Sequence, residues 1–299
     1  MRVLITGAVG MLGTDARRML AEAGHEVIAT DIGPAATGEI RPLDITDLDA
    51  VRQMLGETRP NLVFHGAAYT NVDGAERSPE AAYKVNALGT WCVASAAEEI
   101  GAALVAISTD FVFDGAKGTP YTEFDTPNPL SEYGATKLAG ETLARQACRR
   151  CYVVRTSWLY GVHGKNFPYT VLNLAKTKPE LPIVADQYGT PTYTVDLVSA
   201  VLEIIKQPLY GVYHVSNGGG PASWLEFAQA VLEKTGQAHV PTRPLTSNEY
   251  AQMFGSPTRR PANSVMRPLA LEMRGCSLPR PWQDALDAFL TAAREQGKL

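Results

Sequence analysis

The chain has little of what would mark a secreted scaffold, a nucleic-acid binder or a membrane protein. Its 299 residues include only four cysteines, Cys92, Cys148, Cys151 and Cys276. That is too few for a disulfide framework in a chain this long. Cys148 and Cys151 form a CxxC, but zinc needs two further ligands at matching spacing, and none of the five histidines supplies such a pair nearby. Free thiols in a reducing compartment are the expectation, and no metal site is expected. Positive charge is not in surplus either: 27 Lys and Arg face 31 Asp and Glu, for a net charge of −4, which argues against a nucleic-acid partner. An anionic substrate would need a local basic pocket. Long apolar runs are missing, and nothing approaches the ~20 apolar residues of a membrane span. The opening MRVLITGAVGMLGT is broken by glycines and followed at once by Asp15, Arg17 and Arg18, unlike the apolar core of a signal peptide. A cytoplasmic protein is expected, with no membrane partner.

What the chain does have is alternation. With 45% hydrophobic residues, its apolar runs read as buried parallel strands separated by helical patterns. Strands are expected at Val3–Ile5, His25–Ala29, Asn61–Phe64, Ala103–Ile107 and Tyr152–Val154. Helices are expected at Met11–Ala23, Leu48–Glu57, Pro79–Ile100 and from Ser131 to about Gln146. This βαβα order predicts an α/β fold, a Rossmann-type doubly wound parallel sheet. Residues 1–155 are expected to form the dinucleotide-binding domain, with sheet elements around 192–216 returning to it. After Arg155 the regularity gives way to proline- and glycine-rich loops, and 156–299 read mainly as a smaller substrate-binding lobe.

Gly7, Gly10 and Gly13 stand in TGAVGMLG, directly after the first strand and at the opening of the first helix. Glycine allows the tight turn and lets backbone N–H groups approach a pyrophosphate at the helix N-terminus. Asp31 ends the second strand, 24 positions beyond Gly7. A carboxylate there accepts hydrogen bonds from the ribose hydroxyls of NAD and repels a 2′-phosphate. The next arginine is Arg41. NADH is therefore the expected cofactor, with NADPH as a second accepted form. Asp44, in PLDITD, either holds the adenine amine or simply terminates a strand.

Tyr133 and Lys137, in YGATK, are four apart and so share one face of a helix. A carbonyl reduction needs an acid that protonates the oxygen as hydride reaches the carbon. A free tyrosine has a pKa of ~10, and the expectation is that the neighbouring Lys137 ammonium, helped by the positive nicotinamide of the oxidised cofactor, lowers it. The same lysine would hold the nicotinamide ribose. Ser108 and Thr109, in ISTDFVFDG, end the fourth strand at the ligand-binding edge of the sheet, and spacing does not choose between their hydroxyls.

Together these residues resemble the dTDP-4-dehydrorhamnose reductases, within the extended short-chain dehydrogenase/reductase superfamily. The resemblance runs through HGAAYTNVDGAE (65–76), KVNALGT (84–90), NPLSEYGATKLAGE (128–141), VVRTSWLYG (153–161), DQYGTPTY (186–193) and RRPANS (259–264). It implies that Thr109, Tyr133 and Lys137 form the catalytic set. It places Gly10, Met11 and Leu12 on the pyrophosphate, and Asp31, Asp44 and Ile45 on the adenosine half. Ala68, Tyr69 and Thr70 would line the cofactor, while Thr109, Asp110 and Trp158 would touch the sugar. Trp158 serves equally well as core packing. Phe111 departs from the tyrosine common at that position in the family, which removes a hydroxyl contact to the sugar. Arg260, with Lys165 as a second choice, is expected on the substrate diphosphate. The implied reaction is reduction of dTDP-4-dehydrorhamnose to dTDP-L-rhamnose, the nucleotide sugar being the partner. Two alternatives stand beside it. One is a reductase of another nucleotide-linked 4-keto-6-deoxysugar, and the other is a non-catalytic, cofactor-binding subunit similar to the methionine adenosyltransferase β-subunit. Nothing in the sequence chooses between a monomer and a homodimer.

Overall fold

The computed structural model describes residues 1–33 and 38–299. The first half of the chain runs β1 (Arg2–Thr6), α1 (Met11–Glu22), β2 (Glu26–Asp31), β3 (Arg41–Pro42), α2 (Leu48–Thr58), β4 (Leu62–His65), α3 (Val72–Arg77), α4 (Pro79–Tyr83) and α5 (Thr90–Ile100). It continues with β5 (Ala103–Thr109), α6 (Glu132–Ala147) and β6 (Cys151–Thr156). The second half holds β7 (Leu159–Tyr160), α7 (Phe167–Ala175), β8 (Leu181–Val184), β9 (Tyr188–Gly189), β10 (Thr192–Tyr193), α8 (Thr194–Ile204) and β11 (Gly211–His214). It ends with β12 (Ala222–Ser223), α9 (Trp224–Lys234), β13 (Thr242–Leu245), α10 (Ser247–Phe254), α11 (Leu269–Met273) and α12 (Trp282–Glu295).

A seven-stranded sheet in the order β11-β6-β5-β4-β1-β2-β3 carries the fold, and its neighbours are parallel throughout. Strand side chains alternate between faces, so an apolar run with no polar interruptions is stable only with helices on both sides. Val3, Ile5, Val105 and Val154 turn to one face, where they meet Leu12, Ala16 and Leu20 of α1 and Leu197, Val198 and Val201 of α8. Leu4, Val63, Leu104 and Val153 turn to the other, against Val51 and Leu55 of α2, Val93 and Ala97 of α5 and Ala144 of α6. The strand order reverses between β1 and β4, which opens a crevice at their C-terminal ends.

Three elements of the second half belong to this layer, among them α11, whose Leu271 is buried in the same core as α1 and α8. β11 extends the sheet beside β6, and α8 packs on the same face as α1, where the Thr194 hydroxyl donates to the buried Asp15 carboxylate. α7, α9, α12 and the short strands β7, β8, β10 and β12 gather their own core around Tyr160, Leu181, Phe227, Trp282 and Phe289.

The helix expected over Pro79–Ile100 is not one regular helix. Its middle, Lys84–Gly89, is a π-helical segment joining α4 to α5. The cause lies at Asn86. Its side chain accepts from Tyr69 N at 2.8 Å and donates to Tyr69 O at 3.1 Å and Thr136 Oγ1 at 3.1 Å. Its own carbonyl accepts from the Thr90 hydroxyl at 2.7 Å. Such bulges are common beside functional sites. In the first half β3 and α3, and in the second half α7, α10, α11 and the short strands, carry no pattern that marks them in the sequence, most being too short to show a period.

Candidate active site

The crevice is a cavity of about 910 Å³, walled by the ends of β1, β2, β4, β5 and β6 and by the loops after β6. Every residue singled out from the sequence for cofactor or sugar lines it, from Gly7 at one end to Arg260 at the other. The glycine turn explains its floor. Gly7 has φ +72°, a conformation that side chains avoid, and a Cβ there would sit 2.8 Å from Ala67 N. A Cβ on Gly13 would lie 2.0 Å from Gly7 O, so any larger residue would push α1 off β1. Gly10 caps α1 in extended conformation with no side-chain acceptor, leaving the first-turn amides of Met11, Leu12 and Gly13 for an outside anion. These features fit a dinucleotide pyrophosphate.

Asp31 closes β2 at the rim. Its Oδ2 accepts from Val9 N at 2.9 Å and its Oδ1 from Ile32 N at 2.8 Å, so the carboxylate also braces the glycine turn. Arg41 is closer to this position than its place in the sequence suggests, because β3 pairs with β2 and sets Arg41 beside Thr30. Asp44 is exposed and accepts from both the amide and the hydroxyl of Thr46 at 2.8 Å, which makes it the organiser of its own turn. Ile45 is buried behind it. After β4, Ala68, Tyr69 and Thr70 run along the wall, with Tyr69 held at both backbone groups by Asn86. Sequence reasoning missed Asn86. Its only signal was its place in KVNALGT.

At the end of β5 the two hydroxyls part company. Ser108 donates to Glu141, which is locked in a buried ion pair with Arg155 at 2.7 Å. The Thr109 hydroxyl donates to Asp110 Oδ1 at 3.0 Å and accepts from Phe111 N at 3.2 Å, next to the Tyr133 phenol. Asp110 is buried, its Oδ2 has no hydrogen-bond partner among the described residues, and burial raises its pKa to about 6 against the nearby Ser264 and Thr109 hydroxyls. An orphaned carboxylate oxygen in a cavity wall is a ready acceptor for a ligand hydroxyl.

Tyr133 and Lys137 do share one face of α6, which Ser131 caps by accepting from Gly134 N. Among the protein's own groups the Tyr133 pKa is raised, and Lys137 does not lower it. Burial first, and the Asp110 charge second, push it up to about 12, with the Thr109 hydroxyl opposing the rise. Lys137 Nζ instead donates to Ile107 O at 2.7 Å, and burial brings its pKa down to about 8 against the pull of Glu141. The spacing gave the shared face. Burial and Asp110 decided the electrostatics.

Trp158 has φ +47°, rare for a bulky residue. It lies flat on Trp224, with ring centroids 3.5 Å apart and planes 6° from parallel. The pair forms one wall of the cavity, and Phe167 packs behind Trp224. Trp224, the first residue of α9, was another functional candidate the sequence reading missed. Phe111 meets Tyr133 edge-on at 5.6 Å, so it shapes the pocket through its ring. Lys165 is exposed on the rim. Arg260 reaches the wall with one guanidinium nitrogen 3.3 Å from Asp73 and its Nε buried without a partner among the described residues.

A parallel sheet with its crevice at the strand-order reversal, a glycine cradle and a Tyr-x-x-x-Lys helix define a dinucleotide-binding short-chain dehydrogenase/reductase of the extended type. Residues 1–295 match the family model described as the RmlD substrate binding domain. The chain is 42% identical over 289 residues to the spore coat polysaccharide biosynthesis protein SpsK of Bacillus subtilis, covering 97% of this chain and 96% of that protein. A crystal structure of a dTDP-4-dehydrorhamnose reductase from Clostridium acetobutylicum superposes with a TM-score of 0.91 at 42% identity, over 98% of this chain and all of that one. The Bacillus anthracis dTDP-4-dehydrorhamnose reductase, solved in complex with NADP, gives 0.89 at 38% identity, over 97% and 99% of the two chains. The chain belongs to the dTDP-4-dehydrorhamnose reductase family.

Proposed function

We propose that this chain reduces the C4 ketone of dTDP-4-dehydrorhamnose to give dTDP-L-rhamnose in the cytoplasm. The observation that carries the reading is the convergence of Thr109, Asp110, Tyr133, Lys137 and Trp158 on one cavity that begins at a dinucleotide cradle. When bound, the reduced nicotinamide supplies the hydride. The Tyr133 hydroxyl gives its proton to the ketone oxygen, and a pKa of about 12 keeps that proton in place at neutral pH. The Thr109 hydroxyl polarises the same oxygen by turning its proton from Asp110 Oδ1 to the bound ketone, while Ser108 stays committed to Glu141 inside the core. Lys137 faces the ribose of the cofactor. Asp110 Oδ2 accepts from a sugar hydroxyl, and the Trp158 ring covers the apolar side of the sugar. Residues 1–155, together with α8 and β11, hold the cofactor, and the rest of the second half holds the nucleotide sugar.

Incubation with NADH, dTDP-4-keto-6-deoxyglucose and a 3,5-epimerase tests the proposal. The expected product is dTDP-L-rhamnose, and a different 4-hydroxy sugar would assign the chain to another 4-keto-6-deoxysugar.

For the cofactor, Asp31 at the rim supports NADH being used at least as well as NADPH, with Arg41 on the neighbouring strand as the group that would accept a 2′-phosphate. Comparison of kcat/KM with the two cofactors decides it. A tenfold preference for NADPH, about 1.4 kcal/mol, would remove the role given to Asp31.

Asp110 also sets a pH dependence. Proton donation needs the phenol form, so reduction falls as pH rises through the Tyr133 pKa. The Asp110 charge raises that pKa, so Asp110→Asn should move the alkaline limb of kcat/KM to lower pH. A limb that stays put would show that the two groups do not interact.

A further inference from the structure

The segment from Ser256 to Arg260 reaches the cavity wall from the second half of the chain and lies against α3, which starts just after the Ala68–Thr70 stretch. Asp73, in the first turn of α3, takes three contacts from it. Its Oδ1 accepts from the Ser256 hydroxyl at 2.8 Å, the Thr258 hydroxyl at 2.7 Å and the Arg260 guanidinium at 3.3 Å. Positions 256, 258 and 260 alternate, which is the period that turns side chains of an extended segment to one side. Burial works against the Asp73 carboxylate, yet the two hydroxyls and Arg260 outweigh it and hold its pKa below the usual value.

As a stability device this contact is modest. The pair is partly exposed, with side-chain accessibilities of 31% for Asp73 and 26% for Arg260, and such pairs contribute little. Its consequence is geometric. It orders a long, flexible side chain before any ligand arrives, and pre-ordering removes part of the entropy cost of binding. The Arg260 Nε is buried and has no acceptor among the described residues, so the guanidinium is placed by the protein without all of its donors being satisfied.

We propose that Asp73 is a positioning residue for the substrate: it latches the Ser256–Arg260 segment onto α3 and so presents Arg260 to the diphosphate of the nucleotide sugar. The inference rests on the nucleotide-sugar reading above. Asp73 touches neither the reacting atoms nor the cofactor, so its effect falls on substrate affinity.

The test is steady-state kinetics with dTDP-4-dehydrorhamnose, alongside NADH affinity from fluorescence titration. Asp73→Ala should raise KM for the nucleotide sugar about tenfold, change kcat less than about threefold and leave NADH affinity as it was. Arg260→Ala should raise KM at least as much. The double variant should be no worse than Arg260→Ala alone, because both substitutions remove one contact. Thr258→Val should shift KM the same way by less, and Asp73→Asn, which still accepts from the hydroxyls, should fall between Asp73→Ala and the wild type. Should Asp73→Ala fail to fold, these last two variants carry the test. An unchanged or lowered KM in the Asp73 and Thr258 variants, with a raised KM in Arg260→Ala, would overturn the latch and leave the diphosphate reading standing. Fully additive KM effects in the double variant would also overturn it. An unchanged KM in Arg260→Ala would overturn both.

Discussion

Tyr133→Phe is expected to lower kcat by ~10²–10⁴, the usual contribution of general acid catalysis, while NADH binding hardly changes. The phenol ring would keep its edge-on contact with Phe111 and its place on α6, because neither depends on the hydroxyl. Only the proton is lost. Lys137→Met should behave differently. It removes a buried ammonium that donates to Ile107 O and faces the cavity, so NADH affinity and turnover should fall together. Single-turnover kinetics with a fluorescence titration of NADH separates the two patterns. Near-full activity in Tyr133→Phe would mean that the proton comes from elsewhere.

The second large effect is on stability. Arg155 and Glu141 form an ion pair beneath the active site, with side-chain accessibilities of 5% and 6%. Arg155 also lies over the Phe113 ring, 5.2 Å from its centroid. Removing one member of a buried pair strands the other charge, at a cost of roughly 3–5 kcal/mol. Arg155→Met should therefore destabilise the fold by about that amount, seen in the midpoint of urea unfolding. Because Ser108 donates to Glu141, the end of β5 should also loosen, and activity should drop with stability. The double variant Glu141→Met, Arg155→Met should recover only part of the loss: the stranded Glu141 charge is gone, but the buried Lys137 loses a nearby carboxylate and Ser108 its acceptor. A double variant less stable than Arg155→Met would show that the pair stabilises by more than mutual compensation.

The cofactor half of the site was legible because its signals are local. Gly7, Gly10 and Gly13 lie within one strand–turn–helix unit, and Tyr133 and Lys137 within one helix turn, so spacing alone set their relations. The reading was poorest where two distant segments meet. Asn86 reaches Tyr69 across 17 positions, and Asp73 reaches Arg260 across 187. Neither pair leaves a periodic trace. The π-helical segment at Lys84–Gly89 was hidden for a related reason. Lys84, Ala87 and Leu88 favour helix while Val85, Asn86 and Gly89 do not, a mixture that does not separate a wider turn from a regular one, and the claims of Tyr69, Thr136 and Thr90 on Asn86 come from the fold.

By itself the sequence determined the alternation of strands and helices, the parallel sheet and the glycine cradle. Each follows from side-chain periodicity or from a backbone conformation that only certain residues adopt. Tertiary structure alone decided the chemistry of the side chains in the cavity. It took Ser108 away to Glu141 and left Thr109 beside Tyr133. It also turned Lys137 toward Ile107 and, among the protein's own groups, gave Tyr133 a raised pKa. The physical reason is that a proton's affinity depends on burial and on the charges within a few ångströms. In a doubly wound fold those neighbours come from different strands, and folding alone brings them together.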